Sequence, residues 1–262
     1  MTVDLDKSYL LHLAEEAALL AGHHLKYNRP DWKQVEKAGE HDVKILADRI
    51  SEELIVEQLK RGSNIKIFSE ESGYVDCNNE KGENNNKSEL NWIIDPLDGS
   101  LNYHMNIPFC CVSIALYKGK NAILGVVYDF VHDELFNGIV GEGAWLNQHS
   151  INTSRVCEIS DAVLGTGFPV NTDFSSSSVS NFVGQVQQYR KVRLLGSAAI
   201  SLCFVACGRL DSYQEENIMF WDIAAGCALV QSAGGKVHFN IRDRDIHEPV
   251  TVVANNGQLS MF

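Results

Sequence analysis

Asp95 and Asp98 stand three residues apart, directly after the apolar run Trp92-Ile93-Ile94 and around Pro96-Leu97. The apolar run reads as a buried strand, and Asp-Pro and Asp-Gly are strong turn signals. The chain is therefore expected to turn sharply here and bring both carboxylates to one point. Carboxylates that close repel each other, and one pKa rises unless positive charge lies between them. A hard divalent cation meets that need, and Mg²⁺ favours a few carboxylate oxygens with water and phosphate. An acidic surface turn accounts for the same letters. Three further acidic positions invite the same pair of readings. Glu70-Glu71 follows the strand-like Ile65-Lys66-Ile67-Phe68, and such a pair is ordinarily solvated surface. Asp48 falls near a helix start, where the dipole favours it. Asp222 opens a small-residue helix, where its default role is capping. What raises Glu70-Glu71, Asp95 with Asp98, and Asp222 above their separate ordinary roles is that all sit where apolar strands or close-packed helices end.

The elements that must position them are legible in outline. Leu10, Leu13, Ala14, Ala17, Ala18 and Ala21 mark one face of a helix from about Tyr9 to Leu25, with Gly22 beginning its end. His23 and His24 are adjacent and point in different directions, which argues against a shared metal. A second amphipathic helix runs from about Leu46 to Leu59. Cys111–Tyr117, Ala122–Tyr128 and Glu134–Val140 suit an antiparallel sheet, with a hairpin turn at Lys118–Asn121. Val192–Gly196 resembles a strand, and Ser197 caps the helix that follows, closed by Gly208. Asp211-Ser212-Tyr213 starts a short strand, with Glu215 and Glu216 after it. Trp221 to about Ala233 is a helix whose Ala and Gly residues permit close approach. The polar segment from Cys77 to Leu90 reads as an excursion between strands. With no repeat or Pro-rich linker, the chain divides only loosely near residue 150. Residues 1–150 form an N-terminal α+β part with most of the acids, and residues 151–262 an α/β part that completes the site.

Bulk properties narrow the function classes. A chain of 262 residues can bury a substantial core. Its formal net charge of -12 argues against general binding to nucleic acid phosphates or to anionic membranes, which need clustered Lys and Arg. The same charge repels a phosphorylated substrate, a conflict that a bound cation resolves. Seven cysteines without a C-x-x-C pair exclude zinc-ribbon and dithiol motifs and indicate a reducing compartment. No secretory signal and no apolar run of membrane-spanning length is visible, so a cytoplasmic protein is expected.

Taken together, Ser69-Glu70-Glu71-Ser72, Trp92-Ile93-Ile94-Asp95-Pro96-Leu97-Asp98-Gly99-Ser100-Leu101-Asn102, Gly196-Ser197-Ala198-Ala199 and Trp221-Asp222-Ile223-Ala224-Ala225-Gly226 resemble the inositol monophosphatase family. That family lies within the Mg²⁺-dependent, lithium-sensitive phosphatase superfamily. The order and separations of the segments fit as well, and the resemblance covers essentially the whole chain. It implies an α+β fold, a layered α-β-α-β-α sandwich of the inositol monophosphatase/fructose-1,6-bisphosphatase type, in a homodimer.

The resemblance also implies roles. Glu70, Asp95 and the Leu97 carbonyl would hold one Mg²⁺, and Asp95, Asp98 and Asp222 a second, with a third, looser ion at Glu70. Asp48 would activate water together with a hydroxyl, which Ser100 supplies where the family has Thr. Glu71 would stand behind the ligands. The backbone N–H groups of Gly99 and Ser100 would hold the phosphate, while Glu215, Arg193 and Ala198 fall at positions near the substrate's polyol end. The implied activity is hydrolysis of inositol monophosphate or a similar polyol or sugar phosphate by direct attack of water. Hydrolysis of 3′(2′),5′-bisphosphate nucleotides or of fructose 1,6-bisphosphate, and a non-catalytic protein-binding scaffold, are the alternatives. Two departures from the family pattern are Lys44-Ile45, where Val-Thr is common, and the segment Gln214-Glu215-Glu216-Asn217.

Overall fold

The computed structural model describes residues 5–28, 35–38, 43–75, 90–168, 174–239 and 248–260. The polar segment 76–89 lies outside the described residues, as do the side chain of Lys44 and that of Cys77.

Helix α1 (Lys7–Tyr27) starts at Asp6, whose carboxylate accepts from the Tyr9 N–H at 3.0 Å. It buries Leu10, Leu13, Ala14, Ala17, Ala18, Ala21 and Leu25, the three- and four-residue spacing expected of one face. Gly22 does not begin the helix end. It lies in mid-helix beneath the Tyr128 ring, which a methyl group there would approach to 2.4 Å. Strands β1 (Val35–Ala38) and β2 (Val43–Ile45) pair antiparallel and lead into α2 (Leu46–Gly62). The buried face of α2 is unusual for an amphipathic helix. Alongside Ala47, Ile55 and Leu59 it buries Asp48, Ser51 and Glu52.

The larger sheet contains β3 (Lys66–Ser69), β4 (Gly73–Val75), β5 (Leu90–Asp98), β6 (Cys111–Lys118), β7 (Asn121–Asp129), β8 (Glu134–Ile139), β9 (Gly143–Leu146) and β10 (His149–Ile151). Their order is β10-β9-β8-β7-β6-β5-β3-β4, with β3 parallel to β5 and the other neighbours antiparallel. The three-stranded meander expected from Cys111 to Val140 is its centre. A short helix, α3 (Ser100–Met105), follows β5.

The second sheet is built from β11 (Val163–Gly165), β12 (Lys191–Arg193), β13 (Ser212–Ile218), β14 (Lys236–Phe239) and β15 (Val250–Asn255), in the order β12-β11-β13-β15-β14. Between the sheets lie α5 (Ala198–Ala206) and α6 (Phe220–Ser232), while α4 (Ser176–Val186) meets the outer side through Val186. One apolar core joins Ala115, Tyr117 and Val127 of the larger sheet to α5, α6 and Tyr213, Val252 and Ala254 of the smaller. A second lies between the larger sheet and α1 and α2. The result is a layered α/β sandwich: two helices, eight strands, two helices, five strands and a thin outer helix. Gly226 lets α5 and α6 close on each other, since a methyl group there would meet the Leu202 Cβ at 2.5 Å. No helix among the described residues is long and apolar enough to cross a membrane.

The strand carrying the central acids departs from expectation. No sharp turn opens at Pro96, and β5 continues to Asp98. Asp95 pairs with Ser113 and Asp98 with Cys111, so three steps on β5 match two on β6. That extra residue is a β-bulge. Proline fits it because a bulge already forgoes a ladder hydrogen bond. The bulge has a direct consequence. Residues three apart in a regular strand point to opposite faces, whereas one inserted residue returns Asp98 to the face of Asp95.

Candidate metal centre

Glu70, Asp95 and Asp222 each present a carboxylate oxygen within 4.8 Å of the others. Three separate devices bring them there. The Glu70 N–H donates to the Ile94 carbonyl at 3.1 Å, which prolongs the parallel β3–β5 pairing and sets Glu70 beside Asp95. Asp95 is fixed by its place in the bulge, where its Oδ1 accepts from the Leu97 N–H at 3.0 Å. Asp222 is not the N-cap of α6. Met219 occupies that position, and Asp222 in the first turn accepts from the Met219 N–H. Asp48 uses the same device on α2, its Oδ2 accepting from the Ile45 N–H at 2.7 Å. In both helices the acid reaches back one turn to a backbone donor, leaving its outer oxygen oriented by the helix.

Asp98 points toward the same layer but is differently engaged. Its Oδ2 accepts from Ser197 Oγ at 2.5 Å and from the Ala199 N–H at 2.8 Å, with the Cys111 thiol at 3.8 Å. The Ala198 N–H also donates to this carboxylate. Asp98 thus ties the bulge to the start of α5, and Ser197 serves both it and its own helix, accepting from Ile200 N–H at 3.2 Å. Gly99 follows with φ +83°, and a side chain there would run into the Phe109 carbonyl at 2.6 Å. Glycine is required on both counts.

Ser100 Oγ lies 2.6 Å from Asp48 Oδ1 and 2.9 Å from the Leu97 carbonyl. One hydroxyl proton serves two acceptors, and the serine's lone pairs remain for a further donor. Glu71 is half-buried in the turn beside Glu70. Glu215 lies within β13, not beyond it, and its Oε2 accepts from the Tyr213 hydroxyl at 2.5 Å. Arg193 is exposed, and its guanidinium donates to the adjacent Val192 carbonyl at 2.9 Å.

Periodicity and turn signals do not single out the residues that hold the acids in place. Glu52 is buried and accepts from the Ser72 N–H at 3.1 Å and the Ser72 hydroxyl at 2.6 Å, which clasps the turn bearing Glu70. Ser51 donates to the Pro96 carbonyl at 2.8 Å. The one available signal is spacing: Asp48, Ser51 and Glu52 share the helical face of Ile55. Asn102 draws α3 to the loop before α5, donating to the Phe109 and Leu195 carbonyls, each at 2.8 Å.

Burial and mutual repulsion set the electrostatics of the cluster. Burial pushes Asp95 well above the usual carboxylate range, and Glu70, Asp98 and Asp222 push it further, against the Leu97 N–H. Asp222 is raised by burial, then by Glu70, Asp98 and Glu215. Burial raises Asp98 to about 6, although four hydrogen bonds oppose the shift. Buried acids cannot all ionise side by side without a cation, and an all-oxygen donor set matches a hard one. The residues therefore fit Mg²⁺.

Comparison with known proteins places the whole chain in one family. A model of the inositol monophosphatase family matches residues 6–261. The Nus factor SuhB of Pasteurella multocida is 36% identical over 233 residues, covering 87% of this chain and 84% of the relative. Inositol monophosphatase 3 of Solanum lycopersicum is 37% identical over 230 residues, with the same coverage of 87% and 84%. Among solved structures, inositol monophosphatase from Anabaena superposes with a TM-score of 0.79 at 35% identity, over 97% of this chain and 93% of that one.

Proposed function

The chain belongs to the inositol monophosphatase family, and from that premise we propose that it is a Mg²⁺-dependent phosphomonoesterase acting on inositol monophosphate or a similar polyol or sugar phosphate. The observation that carries this reading is the convergence of Glu70, Asp95 and Asp222 within 4.8 Å. In this scheme Glu70, Asp95, Asp98, Asp222 and the Leu97 carbonyl hold two or three Mg²⁺ ions. Bound Mg²⁺ supplies the positive charge that a phosphate dianion requires and lowers the pKa of water.

The chain's own groups orient the reaction. Ser100 Oγ, donating to Asp48, accepts from the attacking water and aligns it, and Asp48 is the base to which a proton can pass. N–H groups at the start of α3, those of Gly99 and Ser100 first, hold the phosphate oxygens. The water oxygen bonds to phosphorus as its proton passes by way of Ser100 to Asp48, and the ester P–O bond breaks. The departing alkoxide takes a proton from solvent and leaves as the alcohol, while Asp48 returns its proton to solvent. No covalent enzyme intermediate is needed. Arg193 and Ala198 are the further residues proposed near the polyol, with Glu215 accepting its hydroxyls. A homodimer and a cytoplasmic location complete the reading.

Phosphate release with Mg²⁺ from inositol 1-phosphate, 3′-phosphoadenosine 5′-phosphate and fructose 1,6-bisphosphate tests it. Release from the first alone supports an inositol phosphatase, whereas no release from any of them, or Mg²⁺-independent release, opposes the scheme.

The Pasteurella relative's name, Nus factor, favours a second reading in which the chain works by binding a macromolecule. A net charge of -12 weighs against a broad nucleic acid surface. Under that reading, Asp95→Asn would leave the chain's cellular role intact.

A further inference from the structure

If Glu215 takes substrate hydroxyls, as proposed above, its carboxylate must be held in one orientation before substrate arrives. The means of holding it lies in three strands' worth of structure around it. Tyr213 and Glu215 are two residues apart on β13, so their side chains leave the same face. Tyr213 is only 1% exposed and pairs with Ala254 of β15 and Gly165 of β11, which fixes its ring between two neighbouring strands. Its hydroxyl meets Glu215 Oε2 at 2.5 Å.

Just past β11, Gly167 lies against the same carboxylate. A methyl group on Gly167 would come within 2.4 Å of Oε2 and 2.8 Å of Oε1. Gly167 is not among the residues with positive φ, so its small size matters here and not its conformational freedom. Immediately after Glu215 the register against β15 slips by one residue, from Glu215 opposite Val252 to Ile218 opposite Val250. Asn217 takes the left-handed conformation within that bulge, at φ 59°. Glu215 also stands close enough to the acid cluster for Asp98 and Asp222 to enter electrostatic interaction with it.

We propose that Tyr213 and Gly167 form a built seat for Glu215, in which the buried phenol commits Oε2 and leaves Oε1 to accept a hydroxyl of a polyol or sugar phosphate. Tyr213 is thereby a positioning residue, and the seat sets the preference for hydroxyl-bearing substrates over phosphate esters that lack hydroxyls. Without it the carboxylate can rotate, and substrate binding must order it at an entropic cost. This rests on the phosphatase reading and adds to it the residues that determine specificity.

The test compares wild type, Tyr213→Phe and Gly167→Ala on inositol 1-phosphate and on p-nitrophenyl phosphate, which offers no hydroxyl. Tyr213→Phe keeps the buried ring, and Gly167→Ala perturbs the seat from the other side. For each variant the ratio of kcat/KM for inositol 1-phosphate to that for p-nitrophenyl phosphate should fall about tenfold, the scale of a hydrogen bond to a charged group. The fall should reside in KM for inositol 1-phosphate, with kcat nearly retained. An unchanged ratio in both variants, or equal losses on both substrates, overturns the seat while leaving the phosphatase standing. Absence of Mg²⁺-dependent turnover in the wild type removes the phosphatase reading and the seat with it.

Discussion

Ser100 Oγ sits 2.6 Å from Asp48 Oδ1, joining the first turn of α3 to the first turn of α2 across the end of β5. The contact needs only a hydroxyl, which a threonine at this position would supply as well. Ser100→Ala should lower kcat by about 10²–10⁴-fold, the usual contribution of a positioned proton-transfer partner. Ser100→Thr should retain most activity. Steady-state kinetics on both variants, with circular dichroism to verify folding, decides the matter. An active alanine variant would exclude the proposed role.

Asp95 is 1% exposed and is pressed by three other acids. Asp95→Asn should therefore raise the melting temperature of the metal-free protein while abolishing both phosphate release and the stabilisation conferred by Mg²⁺. Thermal melts with and without Mg²⁺ measure both effects. A metal-free variant less stable than wild type, still stabilised by Mg²⁺, would contradict the assignment.

Burial raises Asp98 from 3.8 to about 6 and Glu215 from 4.5 to about 7. A carboxyl with a raised folded pKa binds more protons folded than unfolded. Its contribution to stability is full below the unfolded pKa and is lost as pH rises through the folded value. The metal-free protein should accordingly lose stability between about pH 4 and pH 7. Mg²⁺, which favours the ionised acids, should stabilise more at pH 8 than at pH 5. Denaturant melts across that range, with EDTA or Mg²⁺, report the difference. Equal Mg²⁺ stabilisation at both pH values would count against it.

Glu52 holds the Glu70 turn through two hydrogen bonds from Ser72. Glu52→Ala should weaken Mg²⁺ or Mn²⁺ binding by about 10–100-fold, as is typical when a residue supporting metal ligands is removed. Mn²⁺ titration followed by electron paramagnetic resonance reads this without relying on turnover. Unaltered Mn²⁺ affinity would show that the turn keeps its shape unaided.

Part of this architecture is legible in local spacing alone. The face of α1 and the β6–β7–β8 meander follow from spacing, because local periodicity is what places side chains on one side of a helix or strand. The apolar spacing of Leu46, Ile50 and Leu54 points instead to a half-buried side of α2, beside the buried face of Ala47, Asp48, Ser51, Glu52, Ile55 and Leu59. Glu52 is marked only by sharing the helical face of Asp48 and Ile55, and hydrophobic patterning treats such a carboxylate as solvated, yet here it is buried against Ser72. The letters of the Asp95–Asp98 segment predict a turn, because Pro and Gly occur alike in turns and in bulges. The difference lies in pairing with β6, which no short window contains.

The amino-acid sequence by itself determined which acids lie at the ends of apolar elements, and that their negative charge calls for a cation. It also contained, in four separated segments, the pattern of a phosphatase family. Only the tertiary structure decided which acids meet: Glu70, Asp95 and Asp222 in one cluster, with an oxygen of Asp98 committed to the start of α5. The reason is physical. Local conformation fixes where a side chain points from its own backbone, whereas the distance between remote carboxylates is set by how α2, α5 and α6 pack on the sheets.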